Sequence, residues 1–438
     1  MSRPPRLLLV APPFAGHLNP LLTIALGLRE RGFEPRFATG QAKADLLRGH
    51  GFVVDAVLGH DPGALERIAD TSGPVRSNPV LLAHQLRANL ALLPGLRAEL
   101  DALVARDRHD LVLADFTAPV AGLVAQDRGL PWLTLMPTPF VLETRTGTPS
   151  YCGGWGPARH PGHRLRDAAG RAATRATKHT MQHLFAARLR AAGARVYRPD
   201  GSEAAYSPTS ILGLGMRELE LARDWPQQLE LIGPVTATPE PWPVAPHLPP
   251  GPLVLVTLGT HLGWAKTSLV PEVRRLAAQL VDHTFVISLG DASRADPEPV
   301  RTQGNVVTFH HLPYDLVVPG CDAVIHHGGA GITYSAVRAG VPSLVIPHDY
   351  DQFDFAARVR AAGAGRSVRR LDSARTLPAL RQVLAMDRAP LRGLAAAARG
   401  YDPLSAVERA VRRHLAVVPG SPDEPDEPSR ADPPRPRG

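Results

Sequence analysis

The sequence predicts an α/β protein made of two facing Rossmann-like domains, each a doubly wound parallel sheet, with a cleft between them. Three observations predict it. Short apolar runs without polar alternation are each followed by a loop and a helical pattern, the order of a βαβ unit. That order stops at a proline-rich break and then restarts. The 438 residues are long for one core and comfortable for two.

The run Leu7–Ala11 opens the pattern as a buried parallel strand, and Pro12 and Pro13 end it. A helix is expected from Asn19 to Arg31, stopped by Gly32, and a second strand from Glu34 to Ala38. The unit recurs as a strand at Leu111–Asp115, a helix at Val120–Asp127 and a strand at Trp132–Met136. Between Pro157 and Arg195, Arg, Ala and His at helical spacing predict a solvated helix or helical pair. From Pro234 to Pro252 there are eight prolines, the composition of a linker. Strands then follow at Leu253–Leu258, Thr284–Leu289, Val306–Phe309, Ala323–His326 and Ser343–Ile346, with helices at Leu269–Val281 and Ile332–Ala339. The expected organisation is a first domain over 1–234, a linker over 235–252, a second domain over 253–418 and a disordered tail over 419–438.

Composition removes several function classes. Hydrophobic residues are 44% and charged residues 21%, which excludes a chain disordered throughout. The net charge of +8 suits an anionic substrate. It is carried almost wholly by arginine, since Lys43, Lys178 and Lys266 are the only lysines. No basic block with interleaved aromatics and no helix-turn-helix or zinc-finger spacing occurs, so no nucleic-acid partner is expected. Cys152 and Cys321 stand in different halves and make neither a disulfide framework nor a metal site. No apolar run of about 18 residues exists and no signal sequence is evident, so no membrane span and a cytoplasmic location are expected.

In open parallel sheets ligands bind at the carboxyl ends of the strands, so two facing sheets predict a site in the cleft. His326-His-Gly-Gly-Ala-Gly-Ile332 follows one such strand and opens a helix. Its glycines let the backbone approach a ligand, and the helix aims free N–H groups and its positive dipole end at the same loop. His327 adds a side-chain donor. Asp349-Tyr-Asp-Gln352 falls just after the next strand, and its carboxylate and amide suit sugar hydroxyls. Asp349-Tyr-Asp351 also spells the D-x-D string that binds metal in another fold, but no other cluster has metal-ligand spacing, and no metal is expected.

The stretch His310–Gly365, HHLPYDLVVPGCDAVIHHGGAGITYSAVRAGVPSLVIPHDYDQFDFAARVRAAGAG, resembles the donor-binding signature of the inverting nucleotide-sugar glycosyltransferases with two Rossmann-like domains, the GT-B type of plant and bacterial natural-product enzymes. The resemblance spans Leu7 to about Leu415. It implies that His327 contacts the donor diphosphate, with backbone donors from Gly329 and Gly331. It implies that Asp351 and Gln352 bind the sugar, that Leu312 meets the base through its backbone beside a stacking His311, and that Thr260 approaches the phosphates. Ile332 stands where the family has a phosphate-binding Ser or Thr, so Thr333 is the expected substitute. Ser335 stands where many members place a ribose-binding Glu, which favours a thymidine over a uridine nucleotide.

The resemblance also implies a catalytic pair in the acceptor-binding first domain. His17, in Phe14-Ala-Gly-His-Leu-Asn-Pro20, is placed in the loop after the first strand as the general base, a role suited to a group titrating near neutrality. Asp115 closes the strand Leu111–Asp115 and would orient it. The implied activity is metal-independent inverting transfer of a sugar from a UDP or dTDP donor to a hydroxyl or amine of a small natural product. The nucleotide sugar is a co-substrate and no cofactor is implied. The alternatives are a nucleotide-sugar epimerase or hydrolase, or a non-catalytic helper on the same scaffold. The first βα turn lacks the G-x-G-x-x-G of a dinucleotide oxidoreductase.

Overall fold

The computed structural model describes residues 3–75, 78–236, 242, 244–260, 262–294 and 296–416. The tail expected over 419–438 and part of the expected linker therefore lie outside the described residues.

The first domain runs β1 (Arg6–Val10), α1 (Ala15–Glu30), β2 (Glu34–Gly40), α2 (Gln41–Gly49), β3 (Val53–Val57), α3 (Ala64–Ala69) and α4 (Pro79–Arg106). It continues through β4 (Leu111–Asp115), α5 (Pro119–Asp127), β5 (Trp132–Met136), α6 (Pro161–Leu184), α7 (Ala186–Ala191), β6 (Ile211–Gly213) and β7 (Leu229–Leu231). Its sheet is parallel throughout, in the order β3-β2-β1-β4-β5-β6-β7. The central strands are buried along both faces, which is why their sequences are apolar without alternation.

The second domain repeats the plan. It runs β8 (Leu253–Thr257), α8 (Gly263–Lys266), α9 (Leu269–Ala277), β9 (Thr284–Ser288), β10 (Arg301–Gln303), β11 (Val306–Phe309) and α10 (Tyr314–Val317). Then come β12 (Ala323–His326), α11 (Ala330–Ala339), β13 (Ser343–Val345), α12 (Gln352–Ala361), β14 (Gly365–Ser367), α13 (Ser373–Leu384), α14 (Ala389–Gly400) and α15 (Pro403–Ala416). The order is β10-β11-β9-β8-β12-β13-β14, parallel except for the edge strand β10.

Two elements differ from expectation. α1 begins at Ala15 rather than Asn19, so His17 lies in its first turn and not in a loop. The turn closes on Phe14, whose carbonyl accepts from His17 and Leu18 at 3.0 and 2.8 Å. Pro20 lies inside the helix, past its first turn, and removes the hydrogen bond its amide would otherwise donate to the Gly16 carbonyl. α15 lies at the end of the sequence assigned to the second domain, yet Ala406, Val407, Ala410 and Val411 pack with Leu18, Leu21, Leu22 and Leu111 in the core of the first. Leu404 reaches the helix α1 so closely that a Cβ on Gly27 would stand 2.2 Å from it.

The domains share a core. Phe140, Met216 and Leu219 of the first pack with Tyr334, Phe355 and Val359 of the second. At its centre Arg358 Nε donates to Glu220 Oε2 at 2.8 Å, and both side chains are almost fully buried. The guanidinium also sits 3.8 Å above the Phe140 ring. Beside it, the amide of Tyr151 donates to Asp354 Oδ2 at 2.9 Å. A buried pair adds little over apolar packing, but a partner left alone in the interior is expensive. Glu220→Ala should therefore cost about 3–5 kcal/mol in urea unfolding, whereas a loss below about 1 kcal/mol, the ordinary worth of an exposed pair, would mean that water reaches Arg358.

Candidate active site

Strand order places the site. In the first sheet β1 lies beside β4, with Val10 opposite Ala114, so the residues following these two strands emerge side by side. His17 and Asp115 meet there: His17 Nδ1 lies 3.0 and 3.1 Å from the two carboxylate oxygens of Asp115. Asp115 is buried, and it also accepts from the amide of Thr117 at 2.9 Å and from the Thr117 hydroxyl. With those bonds fixing the carboxylate, the imidazole carries its proton on Nδ1 and keeps the Nε2 lone pair. The Phe116 ring stacks on the imidazole at 5.5 Å and 24°.

The electrostatics of His17 are a balance. Burial, the largest influence, pulls its pKa down, but the charge and hydrogen bond of Asp115, with the more distant charge of Asp351, outweigh it and leave it raised. Asp351 belongs to the second domain, so its influence on His17 records that the two half-sites face each other.

In the second sheet β8 lies beside β12, with Thr257 opposite His326, so the turns at 258–260 and 327–329 emerge together. The His327 ring is held between them. A Cβ on Gly259 would stand 2.7 Å from its Cε1, and one on Gly329 would stand 2.5 Å from its Nε2. Gly328 has φ +95° and its Cβ position faces the Gln352 carbonyl at 2.9 Å, so no side chain fits there. A Cβ on Gly331, by contrast, meets nothing within 4 Å. Gly329 stands at the N-cap of α11 and makes no side-chain cap bond to the helix's first N–H groups. The arrangement is an open anion site at a helix N-terminus.

The two half-sites line one cleft of about 810 Å³, which takes in His17, Thr260, His311, Leu312, His327, Gly329, Gly331, Asp351 and Gln352. Asp115 stands behind His17. Burial, followed by the charge of Asp354, pushes the Asp351 carboxyl up to about 6 against the pull of His17. Gln352 spends its side-chain oxygen on the amides of His348 and Asp349, at 2.9 and 3.2 Å, which leaves its NH₂ for a ligand. Burial, then Lys43, then Lys266 pull His311 down to about 4, against the opposing charge of Asp291, so it presents a neutral ring. Ile332 and Ser335 also line the cleft.

Thr333 does not act as expected. It is fully buried and its hydroxyl donates to the Gly329 carbonyl at 2.8 Å, one turn back in α11. Unlike Ile332 and Ser335, it is not among the residues that line the cleft. Sequence reasoning also missed two residues and one helix. Trp242, from the expected linker, faces His311 at 6.1 Å and 28°. Tyr350, at φ +52°, donates from its hydroxyl to Gln85 Oε1 of α4 at 3.0 Å and bridges the cleft. The helix α4 itself supplies Leu90, Leu93 and Leu96 to an apolar end of the cleft, opposite Leu58 and Ile68. A tryptophan alone in a proline-rich segment was the available signal for the first, and the weak periodicity of α4 around Pro94 gave none for the last.

Two facing doubly wound sheets, with a histidine–carboxylate pair on one wall and a glycine-rich turn opening a helix on the other, make the two-domain GT-B fold of glycosyltransferases. Residues 274–399 match the family profile of the erythromycin biosynthesis protein CIII-like C-terminal domain. The chain is 27% identical over 400 residues to the 4'-demethylrebeccamycin synthase of Lentzea aerocolonigenes, covering 86% of this chain and 91% of that one. Among solved structures, the kitacinnamycin glycotransferase superposes with a TM-score of 0.71 at 22% identity, over 94% of this chain and all of that one. The Streptomyces sp. SF2575 glycosyltransferase SsfS6, complexed with thymidine diphosphate, gives a TM-score of 0.65 at 21% identity, over 93% and 99%. The chain thus resembles glycosyltransferases such as these along most of its length, and residues 274–399 carry the matched family domain.

The packing around His327 yields a test. Gly329→Ala keeps an allowed backbone but displaces the ring, and should weaken binding of a nucleoside diphosphate by about tenfold or more, the equivalent of roughly 1.4 kcal/mol. Thr333→Val should leave that affinity within about twofold, because the hydroxyl contributes only a local helix bond. Calorimetric titration of both variants checks the pair, and the reverse ranking would refute the placement.

Proposed function

We propose that the protein transfers a sugar from a thymidine or uridine diphosphate donor to a hydroxyl or amine of a small, largely apolar natural product, with inversion and without a metal. The observation that carries this is the His17–Asp115 pair, whose imidazole lines the same cleft as the His327 turn. Thymidine is preferred over uridine because Ser335 occupies the position at which the family resemblance puts a ribose-binding acid, and a deoxyribose makes less use of one.

His17 Nε2 takes the proton of the acceptor as its oxygen or nitrogen attacks the anomeric carbon. Asp115 holds the tautomer and stabilises the imidazolium that forms. The bond from the anomeric carbon to the diphosphate oxygen breaks in the same displacement, so the anomeric centre inverts. The charge that develops on the leaving diphosphate is met by His327, the amides near Gly331 and the positive end of α11. Fixed donors of this kind serve where a cation could, so activity should survive a chelator. Asp351 and the Gln352 amide hold the sugar hydroxyls. The apolar wall formed by Leu58, Ile68, Leu90, Leu93 and Leu96 takes the acceptor skeleton.

The base assignment fixes a pH dependence. A base must be neutral, so kcat/KM should rise with pH through the raised pKa of His17 and then level. Asp115→Asn removes the charge that raises that pKa and leaves burial to lower it, so the acidic limb should move to lower pH while the plateau falls. His17→Ala should lower transfer by about 10²–10⁴-fold with donor affinity retained. Steady-state rates with a thymidine diphosphate sugar check both. Near wild-type transfer by His17→Ala, or an unmoved limb in Asp115→Asn, would refute the role.

A further inference from the structure

Beside Thr260 the cleft opens into a second chamber of about 380 Å³ between the domains. Phe14, Ala15 and Thr260 line both spaces, so the two are continuous. In a chain whose positive charge is nearly all arginine, two of the three lysines line this chamber. Lys43 comes from α2 of the first domain, and Lys266 is the last residue of α8 in the second. Among the described residues that line the main cleft there is neither lysine nor arginine. A nucleoside diphosphate would carry its negative charge into that cleft with only histidines, amides and a helix dipole to meet it.

Lys266 is held next to the phosphate turn. Its Nζ donates to the Thr260 carbonyl at 3.3 Å and lies 3.2 Å from the position of a Cβ on Gly290. Gly259, the residue before Thr260, is the one against which His327 packs. Only one of the three ammonium donors is used in that bond. The carboxylates that act on Lys266 are Asp70 of the first domain and Asp291 of the second, and neither is within ion-pair distance of it. Asp291 is occupied by the amide and hydroxyl of Ser293, at 3.2 and 2.6 Å. Glu66 also lines the chamber. Burial, the largest influence, lowers the Lys266 pKa against the charges of Asp70 and Asp291.

We propose that Lys266 is a diphosphate-binding residue, and that the chamber it shares with Lys43 is the outer wall of the donor site. Lys266 engages the diphosphate from the Thr260 side while His327 and the start of α11 engage it from the other. Lys43 adds positive charge from the facing domain. The pair offsets the hydroxyl that Ile332 does not provide and that Thr333 spends on the Gly329 carbonyl. This assignment rests on the donor reading given above and adds to it the cation that holds the leaving group.

The test is calorimetric titration of wild type, Lys266→Met, Lys266→Arg and Lys43→Met with thymidine diphosphate and with thymidine. Lys266→Met should weaken the diphosphate by about tenfold or more, the size of a charge-assisted contact, and leave the nucleoside unchanged. Lys266→Arg should recover most of the loss, and Lys43→Met should show a smaller loss with the same selectivity. A Lys266→Met protein that binds thymidine diphosphate within about twofold of wild type overturns the assignment. Equal weakening toward thymidine overturns it too, because it marks a structural defect rather than a lost phosphate contact. Wild-type protein with no affinity for a nucleoside diphosphate would instead remove the donor reading beneath it.

Discussion

In each sheet one pair of neighbouring strands sends the chain away in opposite directions: β1 with β4, and β8 with β12. The turns that leave such a pair cannot cover each other, and the crevice between them is where a side chain can face a ligand rather than the core. His17 and Asp115 are brought to 3.0 Å by the first pair, though 98 residues separate them. The turns at 258–260 and 327–329 are brought together by the second, and the His327 ring fills the space that Gly259 and Gly329 leave for it. The chemistry follows from these two reversals, because each supplies half of what a group transfer needs.

The halves work only if they face each other, and that task falls to the junction. Arg358 and Glu220 are both buried, and their desolvation is met only in part by mutual pairing, the Asp354 carbonyl and the Phe140 ring, since Glu220 Oε1 and Arg358 Nη2 have no hydrogen-bond partner. Such a pair is a weak source of stability, but it ties the two domains together at one point. α15 adds a second constraint by returning from the end of the chain to the core of the first domain. Tyr350 then ties the loop at 349–352 to α4 of the first domain. Together the three contacts hold the two domains against each other.

Much of this was legible in the chain. Buried parallel strands announce themselves as unbroken apolar runs, and β4, β5 and β12 fall on the expected residues without adjustment. The cleft gathers most of the expected site residues because a glycine-rich turn before a helix can do little else so well as approach an anion. What failed did so for local reasons. The helical pattern is first visible at Asn19, but Phe14 closes the turn with its backbone and draws His17 into α1. Thr333 looked like a spare hydroxyl, but a buried helical threonine bonds its own preceding turn. Short strands such as β6 and β7, of three residues each, carry too little pattern to be seen, and the role of α15 depends on tertiary packing that no periodicity records.

The claim on which the account turns is that a donor diphosphate lies on the His327 turn with its sugar directed at His17. A crystal structure of the protein with bound thymidine diphosphate tests it directly. The account predicts phosphate density at the start of α11, within hydrogen-bonding distance of His327, and the base against His311. Density for the nucleotide in the apolar half of the cleft beside α4, with His327 untouched, would contradict it.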